Sequence, residues 1–176
     1  MSLKNSVLLM LQLLVLTEVA AQTPSKWCEY VPRSPQDILA HARLGDSVDM
    51  AFSAGQFPSR VTLRYTGKTR SVSSDLQGFL RDYSRAIGLG GLDTLFRHEV
   101  EFAPTADTSY WFAIQEATMK DFRSELARGD TSTLFLLLAG SYRRPNAARG
   151  YVFLINEFTS RESADHWRET LATCGH

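Results

Sequence analysis

The sequence lacks an excess of either charge, because nineteen Lys and Arg residues balance nineteen Asp and Glu residues. A chain with zero formal net charge has no global field that attracts nucleic acid, an anionic membrane or an acidic substrate. We therefore expect no nucleic-acid partner. A protein, or an anionic component of a cell envelope, is the partner class that remains.

Motifs of the common catalytic and metal-binding classes are also missing. Residues 88–91 (Gly-Leu-Gly-Gly) follow a helical pattern and have no downstream Gly-Lys-Ser/Thr, so they do not form a phosphate loop. Ser141 follows a strand pattern but lacks the G-x-S-x-G elbow of hydrolases. The four histidines have neither the i, i+4 spacing nor the Cys/His clustering of metal ligands; they are His41, His98, His166 and His176. We expect no cofactor and no metal, and binding rather than catalysis.

Long hydrophobic runs are absent as well. The apolar run 7–16 contains Gln12 and is well short of the ~20 residues that cross a bilayer. Lys4 precedes this run, and the small-residue pair Val19 and Ala21 fits a cleavage site. Residues 1–21 are therefore predicted to be a signal peptide, which places the mature chain in the periplasm or outside the cell with no membrane span.

Cysteine is scarce, with Cys28 near the mature start and Cys174 near the end. Neither residue lies in a C-x-x-C motif, and an exported chain meets an oxidising environment. The two residues are predicted to form one disulfide. In the chain-entropy model, closing a loop of this length contributes roughly 5 kcal/mol.

The full sequence of 176 residues, 44% hydrophobic, has the composition of a globular protein. Residues 22–33 are predicted to be an irregular lead-in, and residues 34–176 a single α+β domain. Apolar spacing predicts helices from Ser34 to Gly45, from Ser74 to Ile87, over 111–126 and after a T-x-x-E capping box at Thr159. Alternating or continuous apolar runs predict strands at 48–52, 60–66, 97–103, 133–139 and 151–158. Residues 110–114 alone could form a strand instead.

This order predicts a mostly antiparallel sheet with helices packed on one face. One order of predicted elements and dipeptides also occurs twice: helix, Gly-Asp, strand, Ala-Gly, strand, helix. It is found around Gly45-Asp46 and again around Gly129-Asp130. Two αββα-like units, related by duplication, are one explanation of the repeated order.

Arginine-rich segments are the most distinctive candidates for a binding surface. Planar guanidinium groups bind carboxylate or phosphate through two hydrogen bonds, and hairpin tips are common recognition sites. The candidate residues are Arg60, Arg64, Arg143, Arg144 and Arg149. The alternative is that arginines keep exposed strands soluble and unpaired.

Glu99 and Glu101 project from one face of a predicted strand, where Arg60 or Arg64 could supply ion-pair partners. Together these patterns favour an exported binding or accessory protein, as a monomer or weak dimer. A small exported hydrolase whose site assembles only in three dimensions is the alternative, with His98, Glu99 and Glu101 as its first candidates. A protein that dimerises through an exposed strand edge is the third. A pocket that joins His98 or a carboxylate to a second polar cluster would favour the enzyme.

Overall fold

The computed structural model describes residues 26–42, 44, 49–53, 55, 57–105, 107–143 and 149–174. The predicted signal peptide, Arg144 and the Gly45-Asp46 pair lie outside the described residues. The elements follow in this order: a 3-10 helix Lys26–Glu29, β1 Val31–Pro32, α1 Pro35–Ala42, β2 Met50–Phe52, β3 Ser59–Ser71, α2 Ser74–Ala86, α3 Leu92–Leu95, β4 Phe96–Ala103, β5 Tyr110–Gln115, α4 Glu116–Glu125, β6 Thr131–Arg143, β7 Arg149–Phe158 and α5 Ala164–Ala172. None of the described helices is long and apolar enough to cross a bilayer.

Five strands close into a barrel-like sheet in the order β3-β4-β5-β7-β6, and β6 pairs back with β3. β5 and β7 run parallel, whereas the other neighbouring strands of the barrel are antiparallel. β1 and β2 extend the sheet by pairing with β3 and β6.

Closure depends on β3, whose two halves pair with different strands. Residues 59–64 pair with β6, and residues 64–71 pair with β4. The register with β4 shifts between Tyr65 and Thr69. Gly67 lies in this bulge with φ +87°, a conformation that glycine adopts without steric cost. Because a bulge bends its strand and increases the twist, one strand can serve both sides of the barrel.

Alternate side chains of the strands fill the barrel interior, because successive residues of a strand point to opposite faces. The interior strand residues are Val61, Leu63, Tyr65, Val100, Phe102, Phe112, Ile114, Leu134, Leu136, Leu138, Phe153, Ile155 and Phe158. α4 adds Met119 and Phe122, and α1 adds Ile38, each at most 1% exposed. Burying one such side chain stabilises the fold by about 1.5–3 kcal/mol.

α2 packs on the outside of the barrel. Ser73 caps the helix, since its Oγ accepts a hydrogen bond from the backbone N–H of Leu76 at 3.3 Å. An apolar stripe at helical spacing buries Leu76, Phe79, Leu80 and Tyr83. These side chains share a cluster with Ala113, Ala139 and Leu154 from β5, β6 and β7.

The ends of the described chain meet over β6. The predicted disulfide between Cys28 and Cys174 is confirmed, with the two Cα atoms 5.1 Å apart. Trp27 and Trp167 contact each other edge to face, with ring centroids 5.1 Å apart. Trp167 also lies against Phe135, with centroids 4.4 Å apart. The disulfide therefore closes over a small aromatic cluster.

The expectation of a sheet with helices on one face is not met. The sheet closes on itself, α2 and α5 pack on its outside, and α4 contributes to its interior. The periodicity of each strand was informative about burial, but closure depends on long-range pairing between β3 and β6, which periodicity does not encode.

The two αββα-like units are not structurally equivalent. The orders α1-β2-β3-α2 and α4-β6-β7-α5 do occur, but β6 and β7 pair with each other whereas β2 pairs with β6. The two segments therefore share an order of helices and strands but differ in how their strands pair.

Two local predictions also need correction. Residues 111–126 are not one helix, because β5 runs through Gln115 and α4 begins at Glu116; the strand alternative at 110–114 is the one that forms. Thr159 does not cap α5: its Oγ1 accepts from the backbone N–H of Thr133 at 2.9 Å, and α5 begins after Ser163.

Candidate functional site

A pocket of about 210 Å³ opens between the starts of the parallel strands β5 and β7. Its walls are Ser109, Tyr110, Trp111, Arg149, Tyr151 and Phe153. We call it the mouth pocket. It combines aromatic rings with hydroxyl groups and one guanidinium.

Strand register explains why two tyrosines meet at this pocket. Phe112 of β5 is the register partner of Phe153 of β7, and both point into the barrel. Tyr110 and Tyr151 each lie two residues earlier on parallel strands, so they project on the same side one step nearer the opening. Burial, and to a smaller extent the nearby Tyr151, raises the pKa of Tyr110. The Tyr110 phenol therefore stays neutral and can donate a hydrogen bond at neutral pH.

Arg149 is held at the rim of the mouth pocket by the β6–β7 ladder. Its Nη1 donates to Ser141 Oγ at 2.7 Å, and Ser141 is fully buried. Ser141 therefore lies within β6 and positions an arginine.

Trp111 joins the mouth pocket to a charged outer face of the barrel. The Arg70 guanidinium lies 3.9 Å from the centroid of the Trp111 ring, and Arg70 Nε donates to Glu99 Oε2 at 2.7 Å. A cation stacked on an indole and paired with a carboxylate is held in one orientation.

Glu101 lies beside this stack and is only 5% exposed. Lys68 Nζ is 3.0 Å from its carboxylate, Thr66 Oγ1 donates at 2.8 Å and Ser109 Oγ at 3.0 Å. Burial by itself raises the pKa of Glu101, but the hydrogen bonds from these three groups lower it below its usual value overall. The carboxylate is therefore ionised, and both of its oxygens accept hydrogen bonds.

The predicted partners of the two glutamates, Arg60 and Arg64, are wrong. The register places Arg70 opposite Glu99, whereas Arg64 is opposite Ala103. The bulge around Gly67 shifts the register in a way that simple alternation along β3 does not anticipate.

A second cleft, of about 540 Å³, lies where β3 ends, β4 begins and α4 starts. Polar groups from five elements line it: Ser71, Gln77, Thr94, Arg97, His98 and Glu116. We call it the polar cleft. His98 Nε2 is 2.8 Å from Glu116 Oε2, and Arg97 Nε donates to the carbonyl oxygen of Thr94 at 3.3 Å.

The three residues suggested for a hydrolase do not converge on one site. His98 lines the polar cleft and contacts Glu116, whereas Glu99 and Glu101 bind Arg70 and Lys68 on the outer face. Across the described ranges, no group of three or more His, Cys, Asp or Glu residues has the arrangement of a metal site.

Among the predicted arginines that the structure describes, Arg64 and Arg143 lie far apart. Arg64 lies opposite Thr131 at the start of β6, and Arg143 lies at its end. Twelve residues of extended strand span up to about 40 Å. Arg143 Nε contacts Asp49 at 2.9 Å, and of the predicted set Arg149 lines a pocket.

Sequence reasoning missed Tyr110, Trp111 and Tyr151 as site residues. Helical spacing places Trp111 in the predicted helix over 111–126, and Tyr110 and Tyr151 resemble ordinary strand residues in an apolar run. Parallel pairing of β5 with β7 is what joins them, and nothing in the sequence spacing signals that pairing.

The barrel has the connectivity of an OB-type fold, a five-stranded Greek-key barrel. No protein-family model matches the chain, and no curated protein matches it. Among solved structures, the chain is similar to the mitochondrial single-stranded DNA-binding protein Rim1 from S. cerevisiae. The identity is 9%, the match covers 59% of this chain and 94% of that chain, and the TM-score is 0.33.

Two expectations from the sequence disagree with what this comparison found. One is an exported binding or accessory protein with an anionic envelope partner, or a small hydrolase in its place; the other is the exclusion of nucleic acid. The structure that the chain resembles is, by its title, a single-stranded DNA-binding protein. Zero net charge by itself does not exclude such a partner, because base stacking needs only local aromatic groups and a few cations.

Proposed function

We propose that this chain is a binding module for single-stranded nucleic acid, with one base held in the mouth pocket. The observation that carries the proposal is the convergence of Tyr110, Trp111 and Tyr151 with Arg149 around one opening. The support is the chemistry of these side chains. They come from two parallel strands of a closed barrel, which gives the pocket a rigid frame.

The pocket suits one planar ring with the rest of the ligand outside. Its volume of about 210 Å³ accommodates a single base rather than a whole oligomer. Stacking of a base on an aromatic side chain contributes about 1–3 kcal/mol and tolerates any base. The neutral phenol of Tyr110 can donate a hydrogen bond to its edge, and the oxygen of Ser109, whose proton goes to Glu101, can accept one.

Arg149 is the group that favours a nucleotide over a neutral sugar. Its guanidinium lies at the rim, where a phosphate linked to the stacked base would lie, and Ser141 fixes one side of it. A fixed arginine binds phosphate through two parallel hydrogen bonds.

The zero net charge predicts how the binding affinity depends on salt concentration. A ligand that contacts one or two cations releases few counterions, and single strands give a logarithmic slope of about −0.7 per phosphate neutralised. We therefore expect a shallow slope of about −1, with stacking as the main source of affinity.

The test is fluorescence anisotropy with a labelled oligothymidine about ten nucleotides long, measured over a range of salt concentrations. Tyr151→Ala removes an aromatic wall that is 36% exposed, and we expect affinity to fall by about 5- to 150-fold, the equivalent of 1–3 kcal/mol. Leu89→Ala is the control, because Leu89 is an exposed apolar residue outside the pocket.

Two results would overturn the proposal. One is no binding up to about 100 μM at low salt, the weak end of non-specific nucleic-acid affinities. The other is tighter binding of a neutral oligosaccharide, independent of salt and sensitive to Tyr151→Ala, which would assign the mouth pocket to carbohydrate.

A further inference from the structure

The polar cleft has the size and lining of a small-molecule site. Its volume of about 540 Å³ lies within the range of ligand pockets. Val72 provides an apolar wall, and the other lining groups are hydroxyls, an amide and three ionisable side chains. Residues from β3, α2, α3, β4 and the start of α4 surround it.

Two of the charged groups are held in place by their neighbours. Arg97 uses Nε to donate to the carbonyl oxygen of Thr94, which leaves both terminal nitrogens of its guanidinium for a ligand. Glu116 is tied to His98 through Nε2, which leaves the second ring nitrogen of His98 uncommitted by this contact.

Ser71 stands directly across the β3–β4 ladder from His98. Cross-strand partners have β-carbons about 4.5–5.5 Å apart, so the hydroxyl and the imidazole can contact one ligand together. Gln77 adds an amide that can both donate and accept.

We propose that the polar cleft binds a small hydroxylated carboxylate of the size and chemistry of a sugar acid. Arg97 binds the carboxylate through two hydrogen bonds. Ser71, Gln77 and the His98–Glu116 pair bind the hydroxyl groups, and Val72 contacts the carbon skeleton.

The charge balance selects this ligand over a phosphate. Among the residues that line the cleft, Arg97 carries a permanent positive charge. Glu116 is an opposing negative charge in the same cleft. A ligand with two negative charges would be repelled by Glu116, whereas a monoanion with hydroxyl donors satisfies both groups.

This site is independent of the mouth pocket. His98 and Glu101 are three residues apart on β4, and Glu101 is the register partner of Trp111. The two openings are therefore about 10 Å or more apart along the ladder, at opposite ends of β5. Loss of nucleic-acid binding would leave this proposal unaffected.

The experiment is an NMR titration that follows the His98 imidazole resonances, with glucuronate, glucose and inorganic phosphate as three separate probes. Glucuronate and glucose differ by one carboxylate, and phosphate provides an anion without a carbon skeleton. Arg97→Met removes the guanidinium and keeps a long side chain. Arg168→Met is the matched control, because Arg168 is an exposed arginine on α5.

We expect glucuronate to shift the His98 resonances with at least about tenfold higher affinity than glucose or phosphate, the effect of one charge-assisted contact. Arg97→Met should abolish the difference, and Arg168→Met should leave it intact. Equal responses to glucuronate and glucose, a stronger response to phosphate, or no shift with any probe would refute a hydroxy-carboxylate site. So would a preference for glucuronate that survives Arg97→Met.

Discussion

Glu101 shows how a charged side chain can be buried on the outside of a barrel. It is 5% exposed, yet a lysine and two hydroxyls contact its two carboxylate oxygens. Lys68 is mostly exposed, so it covers the carboxylate while its own ammonium stays in water. The carboxylate therefore keeps its charge without an unsatisfied oxygen.

The lowered pKa of Glu101 predicts a pH-dependent contribution to stability. A carboxyl whose pKa is lower in the folded state stabilises the fold above its unfolded value, and loses this contribution as the pH falls through the folded value. Glu101→Gln should lower the free energy of unfolding by about 1–3 kcal/mol at neutral pH, typical of hydrogen bonds to a charged group. The gap from the wild type should narrow below about pH 4.5.

Urea denaturation at a series of pH values measures this gap. Glu169→Gln, at an exposed position on α5, serves as the control and should change little at any pH. A Glu101→Gln gap that is constant from neutral to acid pH would contradict the assignment to the ionised carboxylate.

Alternation along β4 correctly predicted that Glu99 and Glu101 share a face. It could not identify their partners, because those depend on the bulge in β3. Gly67, which allows the bulge, looks like any other glycine in the sequence, so nothing in the spacing shows that Lys68 and Arg70 are the residues that reach the two glutamates.

At the scale of elements, Gly140 determines how β2 joins β6. The register between β6 and β7 shifts between Leu138 and Gly140, and Gly140 has φ +151°. A β-carbon at this position would overlap the carbonyl oxygen of Ala51 in β2. The two strands approach this closely because the residue has no side chain.

Gly140→Ala should therefore destabilise the protein by about 1–3 kcal/mol, the cost of an unfavourable backbone conformation added to a steric overlap. Gly78→Ala is the matched control. Gly78 lies inside α2, and a β-carbon there meets nothing within 4 Å. Gly78→Ala should stabilise the helix by about 0.5–1 kcal/mol.

Thermal and urea denaturation of both variants give the comparison. A lower free energy of unfolding for Gly140→Ala together with a higher one for Gly78→Ala would support the close approach of β2 to β6 at Gly140. A neutral Gly140→Ala would mean that β2 can move away from β6 without cost.

Single elements were predictable where one apolar face repeats at a fixed period. The α2 stripe is an example, and its residues are buried as its spacing requires. The boundary at Gln115 was harder, because Tyr110 to Gln115 and α4 together present apolar residues that fit a continuous helix. The strand forms because β5 finds partners in β4 and β7, and tertiary pairing then outweighs local propensity.

At the scale of the whole molecule, the disulfide joins residues 146 positions apart. Cys28→Ala combined with Cys174→Ala should lower the free energy of unfolding by about 2–5 kcal/mol, mainly because the unfolded chain regains freedom. Cavity effects are small in comparison, since both cysteines are half-buried near the surface.

Urea denaturation of the double variant, beside wild-type protein under reducing conditions, tests this value. The two should lose similar stability, because reduction breaks the same link without changing side-chain packing. A double variant as stable as the oxidised wild type would show that the aromatic cluster around Trp167 holds the chain ends together without the bond.

The sequence by itself determined the disulfide, the amphipathic α2 and the alternating faces of the strands. These follow from composition and from residue spacing within short segments, where backbone geometry fixes which side chains share a face. The closed barrel, the partners of Glu99 and Glu101, and the meeting of Tyr110 with Tyr151 were decided only by the tertiary structure. Each depends on which distant strands pair and in what register, and that choice is made by packing of the whole chain.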